Sequence, residues 1–355
     1  YQETRSSQAL KSVLSAEGFS IESGVADIPT AFVASYGSGE PVIAVMGEFD
    51  ALPGISQAAV PFEQKIEGKN AAQACGHHLF GAGSAGAAIA VKEWLERTGT
   101  PGTIQFFGTP AEEGGSGKVY MVRAGLFDDV DTVIHWHPSS VNAADSASTL
   151  ASRSAEFPFS GVSSHAASAP ERGRSALDAV ESMNFMVNLL REHVPTSTRL
   201  HYVITNGGSA PNVVPNTAQS FYYVRHPNET TLREIWDRVM ATAEAAAVGT
   251  GTSMNYEIIH GNYSVLPNDT LAKVMHAKLS LVGGVEYSEA DEVFAAEISK
   301  TLPTGAYIKG RAAEIKPFET GQRGNGSTDV GDVSWTVPTV GISTATWVPG
   351  TGAHT

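Results

Sequence analysis

Apolar residues in this chain fall into short unbroken runs bounded by polar, Gly and Pro positions, and between residues 30 and 150 these runs alternate with helical-period segments. Thr30 to Tyr36, Pro41 to Met46, Thr103 to Thr109 and Asp131 to Ile134 read as strands. A helix rich in small residues follows Leu79, and Leu10, Val13, Leu14 and Phe19 mark the apolar stripe of an amphipathic helix at the start. Strands alternating with helices predict an α/β domain.

Near residue 155 the pattern changes. Strand Ala155 to Phe159, helix Ala176 to Glu192, strands Leu200 to Thr205 and Gln219 to Val224, helix Thr231 to Ala247 and strand Ser253 to His260 follow in order. This βαββαβ succession is the ferredoxin-like arrangement. After Pro267, a helix from Thr270 to Val282 and strands at Thr339 to Ser343 and Thr344 to Val348 restore the α/β pattern, whereas residues 284–325 are Gly-rich, weakly periodic and given no element. The simplest architecture is one α/β domain with a central mixed sheet, residues 1–153 and 266–355, interrupted by a ferredoxin-like α+β domain at 154–265. Hinges are expected near 150–155 and 262–267.

The chain has 355 residues, 42% hydrophobic and 17% charged, which suffices for two buried cores. A net charge of −14 without any Lys/Arg run argues against nucleic acid or an anionic membrane and favours a small-molecule substrate. The single cysteine allows no internal disulfide. No apolar run reaches 18 residues and the first residues are no signal peptide, so a cytoplasmic protein is expected. The absent initiator Met and the abrupt ends predict a natural chain extending further both ways.

Candidate chemistry gathers within 65 positions: Cys75-Gly76-His77-His78, then Glu112-Glu113-Gly114, then His135-Trp136-His137-Pro138. Taken singly, each has an ordinary explanation, such as a packed histidine, an inert thiol or a solvated helix start. Together, Cys75, His77, Glu113 and one histidine of His-Trp-His offer thiolate, imidazole and carboxylate donors suited to a divalent ion. Glu112 is left over as the base a hydrolytic centre needs. The glutamates and histidines fall just beyond predicted strand ends, where open α/β sheets bind ligands.

Gly81-Ala82-Gly83-Ser84-Ala85-Gly86 matches the dinucleotide fingerprint in letters, but no buried strand precedes it. Gly83, Gly86, Ala87 and Ala88 are read instead as a helix face pressed onto the sheet, which leaves a nucleotide-dependent oxidoreductase as a remote alternative.

The order Gly47-Glu48-Phe49-Asp50-Ala51-Leu52-Pro53, Cys75-Gly76-His77, Glu112-Glu113-Gly114, His135-Trp136-His137-Pro138, Ser164-His165-Ala166-Ala167 and Gly352-Ala353-His354 resembles the aminoacylase/carboxypeptidase family of di-metal amidohydrolases. It is most similar to the branch of p-aminobenzoyl-glutamate and auxin-conjugate hydrolases. The resemblance implies two divalent ions, Zn2+ or Mn2+ with Co2+ also suited, about 3.5–4 Å apart. It implies Cys75, His77, Glu113, His137 and His354 as ligands, the residue before the proline selecting His137 over His135, and Glu112 as the base. Asp50 resembles a carboxylate that orients a liganding imidazole, and His135 a wall residue. Glu48 stands where many relatives carry a metal-binding histidine, and His78 replaces the usual Asn or Asp. The resemblance also implies a dimerisation (lid) role for the inserted domain, with His165 reaching a partner's active site to stabilise the oxyanion. Asn212 and Arg225 are candidate substrate contacts. The implied reaction is hydrolysis of N-acyl amino acids, N-aroyl ones above all, by a homodimer. A metallo-aminopeptidase or dipeptidase and a non-catalytic binding relative remain as alternatives.

Overall fold

The computed structural model describes every residue except 303–308, 353 and 355. Ala353 of the terminal motif and part of the unassigned 284–325 stretch thus lie outside the described residues. The rest form two compact units, one of Tyr1–Ser148, Leu266–Arg323 and Asp332–Thr355, the other of Thr149–Val265 and Gly324–Gly331.

The first unit opens with α1 (Thr4–Ala16), β1 (Ser20–Ser23), β2 (Phe32–Ser38) and β3 (Val42–Glu48). A small pair, β4 (Leu52–Pro53) and β5 (Ala71–Ala72), leads to α2 (His77–Thr98), β6 (Gly102–Thr109), α3 (Gly117–Arg123), β7 (Thr132–Ser139) and β8 (Ala143–Asp145). The second unit carries β9 (Ala151–Ser160), α4 (Ala176–Leu190), β10 (Arg199–Asn206), β11 (Thr217–His226), α5 (Glu229–Thr250), β12 (Ser253–Met254) and β13 (Glu257–Asn262). The last elements are α6 (Asp269–Val282), α7 (Glu289–Ser299), α8 (Val330–Thr336) and β14 (Thr339–Ala345).

A seven-stranded mixed sheet of order β1-β2-β6-β3-β7-β14-β8 forms the centre of the first unit. Strands β6, β3, β7 and β14 are mutually parallel, while β1 with β2, β2 with β6 and β8 with β14 pair antiparallel. Parallel strands are covered on both faces, which is why Ala44-Val45-Met46 and Phe106-Phe107 are apolar without alternation and buried throughout. Phe32 stacks on Phe106 with centroids 5.6 Å apart, and burying each such side chain contributes about 2 kcal/mol. The carboxyl ends of all four parallel strands emerge on one side of the sheet. The loops that follow them carry the candidate chemistry.

The antiparallel sheet of the second unit has the order β10-β11-β9, with β12 and β13 pairing successive parts of β9. Helices α4 and α5 pack against β9 and β11 over a core containing Phe157, Tyr222, Trp236 and Val239. The Ser175 hydroxyl and the Asn228 side-chain carbonyl cap these helices by accepting from the amides of Asp178 and Thr231.

Several sequence expectations need correction. Val13 is exposed; the inward side of α1 is Ser7, Leu10 and Leu14, and Phe19 lies beyond its end. Helix α2 begins at His77, ahead of Leu79, because Gly76 in the left-handed region forms its N-cap. The buried positions of α2 include Gly81, Ser84, Ala85 and Ala88, whereas Gly86 and Ala87 face outward. No strand follows Ala345 among the described residues, because the amides of Thr346 and Trp347 both turn to the Ser139 carbonyl. Strand Ser253 to His260 is split into β12 and β13, each pairing a different stretch of β9. Within 284–325, α7 is opened by a Ser288–Asp291 capping box, a signal present in the sequence and overlooked.

Candidate metal centre

Four chain segments converge at the carboxyl ends of the parallel strands. Strand β3 ends in Glu48, with Asp50 just beyond; Cys75 and His77 flank the start of α2; Glu112 and Glu113 follow β6; His137 lies on β7. Gly76 makes the meeting possible. It has φ +81°, and a Cβ there would stand 2.8 Å from the Pro138 Cβ, so a larger residue would push the Cys75–His77 turn off the end of β7. The loop carrying the two glutamates is bracketed by Ala111 at φ 59° and Ser116 at φ 52°, left-handed conformations that non-glycine residues adopt at a cost of order 1 kcal/mol.

Three groups of donor atoms result, each with atoms within 4.8 Å of one another: Cys75, His77 and His137; Cys75, Glu113 and His354; Glu48, His77 and Glu112. Cys75 belongs to two of them and His77 to two. The His137 Nδ1 donates to the Pro138 carbonyl at 2.7 Å, which leaves Nε2 as a lone pair 3.5 Å from the Cys75 Sγ. His354 stands with Nε2 3.3 Å from Glu113 Oε1, half exposed, and its amide meets the Ala74 carbonyl at 3.4 Å.

Asp50 positions two of these residues. Its Oδ1 accepts from the His77 Nδ1 at 2.8 Å and its Oδ2 from the Glu113 amide at 3.0 Å, so one buried carboxylate fixes both an imidazole and the glutamate loop. Burial pushes the Asp50 carboxyl up, but the hydrogen bond and charge of His77 prevail and hold it below the usual carboxylate range.

Lys118 is the residue that sequence reasoning missed, and with it the pairing of Glu48. Lys118, in the first turn of α3, is fully buried with Nζ 2.6 Å from Glu48 Oε1. The other oxygen, Oε2, faces His77 Nε2 at 3.1 Å without hydrogen-bond geometry. Desolvation opposes both charges, yet Lys118 and His77 keep Glu48 ionised and low. Burial also opposes the His77 cation, but Glu48 and Asp50 outweigh it and raise the imidazole to about 12. The signal for the pair was faint: a lysine after Gly115-Ser116-Gly117 reads as a solvated helix residue.

Elsewhere burial works against charge. It pushes the Cys75 thiol up to about 11 and raises Glu113, while it lowers His137 and brings His135 down to about 4. His135 lies against Gly341 of β14 and near Phe80, outside the three donor groups. His78 is exposed, with its amide on the Gln73 side chain, and is likewise outside them.

The residues fit a divalent cation. His77 Nε2, Glu48 Oε2 and Glu113 Oε1 are buried without a hydrogen-bond partner among the described residues, an arrangement costly unless a positive charge sits between them. The mixed sulfur, nitrogen and oxygen donors are those a borderline metal ion prefers.

In the second unit, His165 bridges to Val213, and the Ala166 amide donates to the Asn212 carbonyl at 3.0 Å, so His165 and Asn212 share one corner. The His165 Nδ1 accepts from the amides of Ala167 and Ser168, which assigns the proton to Nε2. Arg225 lies near the far end of β11 from this corner, its guanidinium over Tyr223 at 5.1 Å and its Nε buried without a hydrogen-bond partner. The structure therefore does not bring Arg225 to His165 and Asn212.

Metal-type donors gathered at the mouth of a parallel sheet, with a glutamate to spare beside them, belong to a metallohydrolase. Comparison of the sequence places the chain more narrowly: it belongs to peptidase family M20/M25/M40, whose model matches residues 44–354. It is 41% identical over 382 residues to one of the two kinds of subunit of the Escherichia coli K12 p-aminobenzoyl-glutamate hydrolase, covering 100% of this chain and 79% of that protein. Against the mouse Xaa-Arg dipeptidase it is 30% identical over 321 residues, covering 88% of this chain and 64% of the relative. Among solved structures, the aminobenzoyl-glutamate utilization protein of Klebsiella pneumoniae superposes with TM-score 0.62 at 18% identity, covering 96% of this chain and 86% of that one. A dinuclear metal-binding M20 peptidase from Bacillus subtilis gives TM-score 0.59 at 18% identity, covering 97% and 83%. The chain is a hydrolase acting on amide bonds, with the α/β fold of this family. Among the described residues no helix is long and apolar enough to cross a membrane.

Proposed function

We propose that the chain cleaves the amide bond of N-acyl amino acids, with N-aroyl amino acids such as p-aminobenzoyl-glutamate as its preferred class. The observation that carries this is the convergence of Cys75, His77, Glu113, His137 and His354 in two overlapping donor groups, with Glu112 close to His77 but outside both. These five residues would hold two divalent ions, Zn2+ or Mn2+. Bound there, the ions supply Lewis acidity to the scissile carbonyl and acidify an attacking water. Glu112 takes the proton from that water and delivers it to the departing nitrogen, which a carboxylate can do when it is not committed as a ligand. Asp50 keeps the His77 ring turned so that Nε2 faces inward. His165, its proton on Nε2, donates to the developing oxyanion in the site of a second copy of the chain, so a homodimer is the functional unit. Asn212 lies beside it and contacts the same substrate. The chain acts in the cytoplasm.

The test is hydrolysis of p-aminobenzoyl-glutamate and a panel of N-acyl amino acids before chelation, after it, and with Zn2+ or Mn2+ restored. Activity that vanishes and returns is expected. The similarity to an Xaa-Arg dipeptidase supports a second reading, and faster turnover of free-amine dipeptides than of N-blocked ones would favour it.

A further inference from the structure

A cavity of about 290 Å³ opens beside the donor groups, bounded by α7 and by the segment that follows β14. Its apolar walls include Phe294, Ile298, Trp347 and Val348. Trp347 links it to the metal centre, because the indole edge lies 3.7 Å from where a Cβ on Gly76 would stand, and Gly76 separates Cys75 from His77. The volume lies at the low end of small-ligand pockets and suits one planar ring.

Its polar groups narrow the choice of ligand. Glu292 lines the cavity; its Oε1 accepts from the Gly310 amide at 3.3 Å, and its Oε2 is buried with no hydrogen-bond partner. The Tyr287 hydroxyl, also in the wall, donates to the Ala345 carbonyl at 2.8 Å and keeps its lone pairs for accepting. Asp291 is spent on the Ser288 cap. The unmet capacity on this side is thus for accepting, and a buried acceptor left unpaired is costly. Arg311 supplies the single cationic group among the described residues of the wall.

We propose that this cavity is the acyl-group subsite and that it takes a benzoyl ring bearing a hydrogen-bond donor, an arylamine in the simplest case. The ring stacks against Trp347 and Phe294, and the donor reaches Glu292 Oε2. This deepens the amidohydrolase reading and rests on it for the orientation of the substrate, the amino acid half lying outside the cavity.

The experiment pairs binding with discrimination. Binding of 4-aminobenzamide to the metal-loaded protein is measured by calorimetry for wild type, Glu292→Gln, Trp347→Ala and the milder Trp347→Phe, with melting temperature and metal content as folding controls. Discrimination is the ratio of kcat/KM for 4-aminobenzoyl-glutamate to that for benzoyl-glutamate. Loss of one good hydrogen bond should weaken binding in Glu292→Gln about tenfold and reduce the ratio by a similar factor. Trp347→Ala should weaken binding more than Trp347→Phe. Turnover of aroyl-glutamates with discrimination unchanged in Glu292→Gln would overturn the subsite and leave the activity standing. Binding of 4-aminobenzamide that depends on Trp347 and Glu292, without turnover of any aroyl amide, would retain the subsite and remove the proposed reaction. Absent binding of 4-aminobenzamide, with Arg311→Ala weakening 4-aminobenzoyl-glutamate, would assign the cavity to the amino acid carboxylate and overturn the inference.

Discussion

Lys118 and Glu48 form an ion pair of 2.6 Å from which water is wholly excluded, one group on α3 and the other at the end of β3. A buried pair is a weak contributor as a pair and a severe liability when halved. Lys118→Met leaves the Glu48 carboxylate uncompensated and should cost about 3–5 kcal/mol in denaturant unfolding. Adding Glu48→Gln should recover much of that loss. A single mutant as stable as wild type would show that Glu48 has another compensating partner.

Glu112→Gln keeps the size and hydrogen-bonding reach of the side chain and removes the basic oxygen. It should retain metal content and melting temperature while lowering kcat by about 10²–10⁴-fold or more. Near-normal turnover in a metal-replete sample would refute the assignment of the base.

Because Asp50 braces His77 and the Glu113 amide at once, Asp50→Asn loosens both sides of the centre. Metal affinity, read by competition with a chromogenic chelator, should fall about 10–100-fold. His78→Ala, at an exposed position outside the donor groups, should leave it unaltered.

Asp145, on β8, is pushed up to about 6 by burial, with only the Ser343 hydroxyl lowering it. The folded protein keeps this proton up to about pH 6, whereas the unfolded chain releases it near pH 4. The contribution is therefore fully favourable below pH 4 and is lost as pH rises toward 6 and beyond. The full shift corresponds to about 3 kcal/mol, and partial solvent access argues for about 2. Asp145→Asn should be more stable than wild type at pH 7 and close to it at pH 4, measured by urea titration. Equal differences at both pH values would contradict this.

Much of the site was legible because each donor belongs to a short local pattern near a strand end. Cys75-Gly76-His77, Glu112-Glu113 and His135-Trp136-His137 announce their chemistry by type and spacing alone, and buried runs such as Phe106-Phe107 announce the parallel strands that carry them. Lys118 was hidden because local sequence says nothing of whether a lysine is buried; that depends on Glu48, far earlier in the chain, being placed beside it by the sheet. The choice between His135 and His137 was equally non-local. Both alternate onto the same side of β7, and it is Gly76 against Pro138 that brings the cysteine to His137. Arg225 misled because arginine recognises carboxylates wherever it is found, while its distance from His165 along β11 is a matter of topology.

The sharing of Cys75 between two donor groups has a temporal side. Cys75, His77 and His137 all come from the first part of the chain and can meet as soon as β3, α2 and β7 have assembled. His354 is synthesised only after the entire second unit has left the ribosome. A nascent chain that folds as it emerges can thus present three ligands to a first ion well before the second group is complete. Loading would then be sequential, and the thiolate engaged by the first ion becomes part of the receptor for the next.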